Sequence, residues 1–243
     1  NNISFKPSTD FRLGFNSLKT SIPAIAIQAS AAIILAVSIY LGNKTVGAVV
    51  AYQIGFIFFF TPYAIISGSF STVVLPEISL QAASLKEAKQ NEMFKENIKK
   101  TLSWTYIPLS LISAFVVSIA IPISHIISVG EARNGSKLFE QILIFMFIGL
   151  VPYGVFQSCS RIFFAKSNVK TPALVVLVTS LVISGVGLLI AKTFTSLSIV
   201  VIMGLIHTIA YAIAGIILLI ILKSNGLNVM PSRSSGLCIM VSI

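Results

Sequence analysis

VGAVVAYQIGFIFFFTPYAIISGSFSTVVL, Val46 to Leu75, contains no Asp, Glu, Lys or Arg. A helix rising about 1.5 Å per residue needs roughly 20 apolar residues to cross a hydrocarbon core of roughly 30 Å. This stretch is long enough by itself. Inside lipid no water satisfies backbone N–H and C=O groups, so the spanning structure is predicted to be a helix and not an open strand.

Working outward, five further apolar stretches reach the same length: Ser21 to Leu41, Thr101 to Val129, Leu138 to Ala165, Pro172 to Ala191 and Leu197 to Leu222. Together they predict an all-α polytopic membrane protein whose residues 21–222 form a six-transmembrane-helix bundle. The composition agrees. Hydrophobic residues make up 56% of the chain and charged residues only 10%, against roughly 25% charged in a soluble domain. A water-soluble core is thereby excluded.

The net charge of +10 would suggest nucleic acid in a soluble protein, but here the positive-inside rule accounts for it. Lys6, Arg12 and Lys19 precede the first span. Lys86, Lys89, Lys95, Lys99 and Lys100 occupy the long middle connection, Arg161, Lys166 and Lys170 the next alternate turn, and Lys223 and Arg233 the tail. The opposite side holds only Lys44, Arg133, Lys137 and Lys192. Thirteen against four places both ends and the middle connection in the cytoplasm, with anionic membrane lipids as the simplest partner of those charges.

Residues 1–20 are polar and basic, so no signal peptide is read there. Within them Phe11, Leu13, Phe15 and Leu18 alternate with Arg12 and Lys19, the pattern of an interfacial segment. In the connection 77–100, Phe94, Ile98 and Leu102 recur at helical spacing, as do Ile78, Ala82 and Leu85. An amphipathic helix lying along the membrane, broken near Asn91, is expected; a solvated linker is the plainer alternative. The tail 223–243 ends in Leu237 to Ile243, read as the start of a further span. Neither that ending nor a start at Asn1 suggests a complete protein.

Covalent catalysis needs convergent carboxylates, a nucleophile with its base, or a metal cluster. All seven acids, Asp10, Glu77, Glu87, Glu92, Glu96, Glu131 and Glu140, fall in connections or near span ends. Cys159 and Cys238 fit neither a disulfide framework nor a metal spacing. No catalytic residue, metal or cofactor is therefore expected, and a lipid-modifying enzyme is disfavoured.

The polar residues inside the spans are few: Gln28 in the first, Gln53 in the second, Gln157 and Arg161 in the fourth and His207 in the sixth, with His125 near the outer end of the third. An Arg at mid-membrane costs about 2.5–3.5 kcal/mol. Two roles are open to Arg161: an anchor snorkelling to the cytoplasmic edge, or a cavity residue meeting an anionic substrate, with Gln157 one turn above it. Gln28 and Gln53 are interhelical glue or substrate ligands. His207 is a neutral imidazole hydrogen-bonded within the bundle or a proton relay.

Two prolines punctuate matching helices. Pro62 opens PYAII in the second span and Pro152 opens PYGVF in the fourth, each followed by a pair of serines. Both are expected to bend their helices, as are Pro108 and Pro122 in the third span. Interrupted helices at matching positions point toward transporter sites.

These strings also carry a family resemblance. AYQIGFIFFFTPYAIISGSFSTVVLPEIS, Ala51 to Ser79, resembles the eighth transmembrane helix of the MurJ/MviN lipid II flippase family. GLVPYGVFQSCSRIFFAKSNVKTP, Gly149 to Pro172, resembles its tenth, and RLGF at Arg12 to Phe15, followed by Ser21-Ile-Pro, resembles the lead into its seventh. The resemblance covers nearly the whole chain with the motifs in order.

It implies one lobe of a MOP-type (MATE-like) transporter, helices seven to twelve of two six-helix lobes around a cavity that opens alternately to each side. The implied substrate is the lipid-linked anionic glycan precursor of peptidoglycan, and the implied location the bacterial plasma membrane. An N-terminal six-helix lobe would be the missing partner. Two departures stand out. The family's cavity Arg, five residues before the proline of its eighth helix, falls on Ile57 here, and the first and fifth spans lack the carboxylates that some members use for sodium. A polysaccharide-lipid or multidrug exporter of the same superfamily, and a non-transporting scaffold, are the rival readings.

Overall fold

The computed structural model describes residues 11–83, 88–127, 135–193 and 199–227. Eight helices account for nearly all of them: α1 (Phe11–Gly42), α2 (Ala48–Ala83), α3 (Ala88–Ser118), α4 (Ala120–Ile127), α5 (Ser136–Ile148), α6 (Leu150–Ala165), α7 (Lys170–Thr193) and α8 (Ile199–Ser224). There is no strand among the described residues. Four helical segments are each long and apolar enough to cross a membrane. The number rises to six when α3 with α4, and α5 with α6, are each counted as one bent span. Residues 1–10, Glu87, Glu131, Arg133 and the tail from 228, including Leu237 to Ile243, lie outside the described residues, as do the span ends placed at Val129 and Leu197.

The bends do not fall on the prolines. The third span turns by 65° between Ser118 and Ala120, the fourth by 40° between Ile148 and Leu150. Each break stands three residues ahead of a proline, Ile119 before Pro122 and Gly149 before Pro152. Proline lacks an N–H, so it cannot bond the carbonyl four residues back. Those carbonyls belong to Ser118 and Ile148, the last residues of α3 and α5. Each proline thus sits in the first turn of the following helix, where an N–H has no intrahelical partner in any case. Pro62 and Pro108, by contrast, lie inside helices that continue through them.

Gly149 lets α8 pack closely against the second break. A Cβ there would lie 2.4 Å from Thr208 Oγ1 and 2.9 Å from Met146 O. Thr208 in turn donates 2.6 Å to Phe145 O, and Ser113 donates 2.7 Å to Phe147 O. Hydroxyls from α8 and α3 therefore tie down the last turn of α5 just before the chain bends.

The expected break near Asn91 is absent: α3 runs unbroken from Ala88 through Ser118. Asn91 falls in its first turn, where a short polar side chain is well tolerated. Phe94, Ile98 and Leu102 are fully buried. The face expected to lie along the membrane is therefore buried within the lobe, in a helix that packs on α2 and α6. Leu174, Val178, Leu181 and Leu189 form an exposed apolar stripe on α7. In water such a stripe would be a liability; in lipid it is the ordinary outer surface.

Candidate functional site

Arg161 and the two Pro-Tyr motifs converge. Arg161 on α6 donates from Nη1 to the Ser67 carbonyl at 3.1 Å and from Nη2 to the Tyr63 hydroxyl at 3.3 Å, both on α2. Ser67 Oγ also donates to Tyr63 OH at 2.9 Å. A planar guanidinium presents several donors in a fixed fork, and this one grips a backbone and a side-chain oxygen of one helix. The plain anchoring role is therefore incomplete: Arg161 is half-buried and turned toward α2.

One turn away, Gln157 donates from Nε2 to Tyr153 OH at 2.8 Å. The Tyr153 ring meets that of Tyr63 edge to face at 4.7 Å and that of Tyr211 at 4.8 Å, and stacks on His207 at 5.9 Å. His207 also faces Phe59 at 4.8 Å. Such pairs contribute about 0.5–1.5 kcal/mol each beyond their buried area. They lock α2, α6 and α8 together at mid-bundle.

Of the two ring nitrogens of His207, Nδ1 is buried without a partner among the described residues. Aromatic rings surround it instead. Space inside the lobe explains how a polar side chain came to be there. Between α1, α2, α6 and α8 lies a cavity of about 390 Å³ whose wall includes Gln28, Tyr52, Tyr153, Gln157, His207 and Tyr211.

The structure thus brings two of the singled-out glutamines, Gln28 and Gln157, to one chamber. Arg161 is not on its wall but stands one turn from Gln157 on α6, about 6 Å along the axis. Gln53 is exposed on α2 and does not line the chamber. Residue types alone missed the tyrosines and Ser67. The signal was present in the echo itself, which repeats the tyrosine as faithfully as the proline.

A family model described as lipid II flippase MurJ matches residues 3–237. Comparison with curated proteins gives no match. A solved structure of lipid II flippase MurJ in an inward closed conformation superposes with a TM-score of 0.72 at 20% identity, covering 98% of this chain and 48% of that one. That likeness shows the fold, and the chain spans about half the length of the structure it matches. With the family model covering nearly the whole chain, the chain belongs to the lipid II flippase MurJ family.

Proposed function

We propose that this chain is the second six-helix lobe of a flippase that carries a lipid-linked peptidoglycan precursor outward across the bacterial plasma membrane by alternating access. Family membership over residues 3–237 is the observation that carries the reading. The half-length superposition is consistent with a first lobe as partner. The lysine distribution supports placing both chain ends and the connection 77–100 in the cytoplasm.

In this reading Arg161, Gln157, Gln28 and Gln53 contact substrate. Arg161 is the only one that carries charge, and it is already hydrogen-bonded to α2. A phosphate group arriving at Arg161 competes with Ser67 O and Tyr63 OH, and taking the guanidinium loosens α2 from α6. Hydrogen bonds to a charged group contribute about 1.5–3 kcal/mol each. Reversing a two-state population from 1:99 to 99:1 needs about 5.5 kcal/mol of differential binding. Arg161 supplies part of that, and the remainder comes from contacts to the rest of the headgroup. Pro152 and Pro62, at the break of the fourth span and within the second, shape the helices that move.

Complementation tests this directly. The full-length gene with Arg161→Ala should fail to support translocation of the lipid-linked precursor while still inserting in the membrane. Translocation at the parent level would remove Arg161 from the site. Accumulation of a different lipid-linked glycan on depletion would instead favour a polysaccharide-lipid exporter.

A further inference from the structure

We propose that the chamber between α1, α2, α6 and α8 is a subsite for one neutral sugar ring of the lipid-linked glycan, distinct from the Arg161 position that meets its phosphates. The inference rests on the flippase reading, and it follows from what lines the wall.

Among the described residues no charged side chain lines the chamber. A phosphate would find no countercharge there, and a cation no carboxylate. The wall is not hydrocarbon either. Gln28 and Gln157 bring amides, Ser30, Tyr52, Tyr153 and Tyr211 bring hydroxyls, and these stand among the rings of Phe56, Phe60 and Phe156. Aromatic faces with a few neutral donors and acceptors suit a ring that is apolar on its faces and hydroxylated at its edge. An acetamido sugar adds an amide that pairs with a glutamine side chain in both directions.

Size and access agree. About 390 Å³ lies within the range of roughly 300–1,000 Å³ typical of small-molecule sites. Gln28, Ala32 and Leu35 line the chamber and are also exposed, so its mouth runs along α1. That helix packs mainly on α7 and only sparingly on α2. A ring entering there would have Gln157 on its far wall and Arg161 one turn further along α6.

One buried atom marks the wall as unfinished. His207 Nδ1 belongs to a lining residue, yet it is closed off without a partner among the described residues. A hydroxylated occupant that shifts the imidazole can satisfy that nitrogen, whereas a hydrocarbon chain cannot.

The test uses the full-length protein in proteoliposomes, with Cys159→Ala and Cys238→Ser as background and Ala31→Cys on the chamber wall. Maleimide labelling at position 31 is followed with free N-acetylglucosamine, glucose 6-phosphate or cyclohexanol present. The sugar at ~10 mM should slow labelling about twofold or more, as expected when it occupies at least half the sites. The phosphate and cyclohexanol should not, and Leu174→Cys on the outer face should be unaffected by all three. Leu35→Cys repeats the measurement if Ala31→Cys does not fold. No protection by the sugar, equal protection by cyclohexanol, or protection at position 174 would overturn the subsite. Translocation by the parent protein is measured separately. Transport without sugar protection sinks the subsite alone, and sugar protection without transport sinks the flippase reading alone.

Discussion

The rings of Tyr63 and Tyr153 meet edge to face, 4.7 Å apart with 77° between their planes. Each is the residue after the proline of its Pro-Tyr motif, so the echo in the sequence is a contact in the fold. Tyr63 carries the Arg161 guanidinium and Tyr153 carries the Gln157 amide. The pair thus joins the cationic position to the chamber wall.

Tyr63→Phe keeps this ring contact and removes only the hydroxyl that serves Arg161 and Ser67. Arg161→Lys keeps the charge but cannot fork to Ser67 O and Tyr63 OH together. Thermal unfolding in detergent should show each single change destabilising by about 1–2 kcal/mol. The double variant should fall short of the sum by about 1 kcal/mol, the mark of residues that share a network. Strict additivity would mean that Arg161 and Tyr63 do not support one another.

Much of this fold was legible because lipid imposes a strict length rule. Six long apolar stretches became four spanning helices and two bent pairs, six spans when each pair is counted as one. Phe94, Ile98 and Leu102 were recognisable as one helical face, although the pattern could not say whether lipid or protein would cover it. The bends were misplaced for a physical reason: a proline removes a bond to a carbonyl four residues back, so the distortion appears upstream, at Ile119 and Gly149. The site was half legible. A charge in a span advertises itself, as Arg161 did. Gln28 and Gln53 look alike in sequence, and only packing reveals that Gln28 lines the chamber and Gln53 does not.

Gly149 offers a test of the upstream break. Its φ of −77° and ψ of −6° are open to any residue, so an added methyl group is opposed by packing alone. That methyl would meet Thr208 Oγ1 at 2.4 Å, and Thr208 cannot swing aside without losing its bond to Phe145 O. Gly149→Ala should therefore cost about 1–3 kcal/mol, the range for overpacking. Adding Thr208→Ala should recover only part of it, because Met146 O and the Thr208 Cα also crowd the site at 2.9 and 3.1 Å. Full recovery would place the whole conflict on the hydroxyl.

The start of α3 carries a surface ion pair, Lys95 Nζ to Glu92 Oε1 at 2.8 Å. That hydrogen bond, reinforced by the charges of Lys95 and Lys99, holds the Glu92 carboxyl below its ordinary value. A lowered carboxyl pKa makes the pair favourable above the unfolded midpoint, and the benefit is lost as pH falls through the folded one. Because Glu92 is fully exposed, solvent screens the interaction. Isotope-edited titration should find Glu92 protonating at lower pH than in the Lys95→Met variant, with the melting temperature at neutral pH hardly changed. Identical midpoints in the two proteins would show that the pair does not persist in solution.

The proposed orientation follows from the excess of Lys and Arg on one set of connections, thirteen against four. Lys99 is exposed beside the buried Phe94–Ile98 face, and Lys44 lies exposed in the turn between α1 and α2. One membrane crossing separates these two lysines, which places them on opposite sides. An amine reagent that cannot cross the bilayer should therefore label Lys44 in intact cells and spare Lys99, and inverted vesicles should reverse the result. Each site is read in a variant with the other lysine changed to arginine, which keeps the charge and hence the topology signal. Labelling of Lys99 from outside would invert the lobe and place Arg161 at the external end of its span. An incoming cytoplasmic headgroup would then have no cation to meet there, and the flippase reading would lose its entry step.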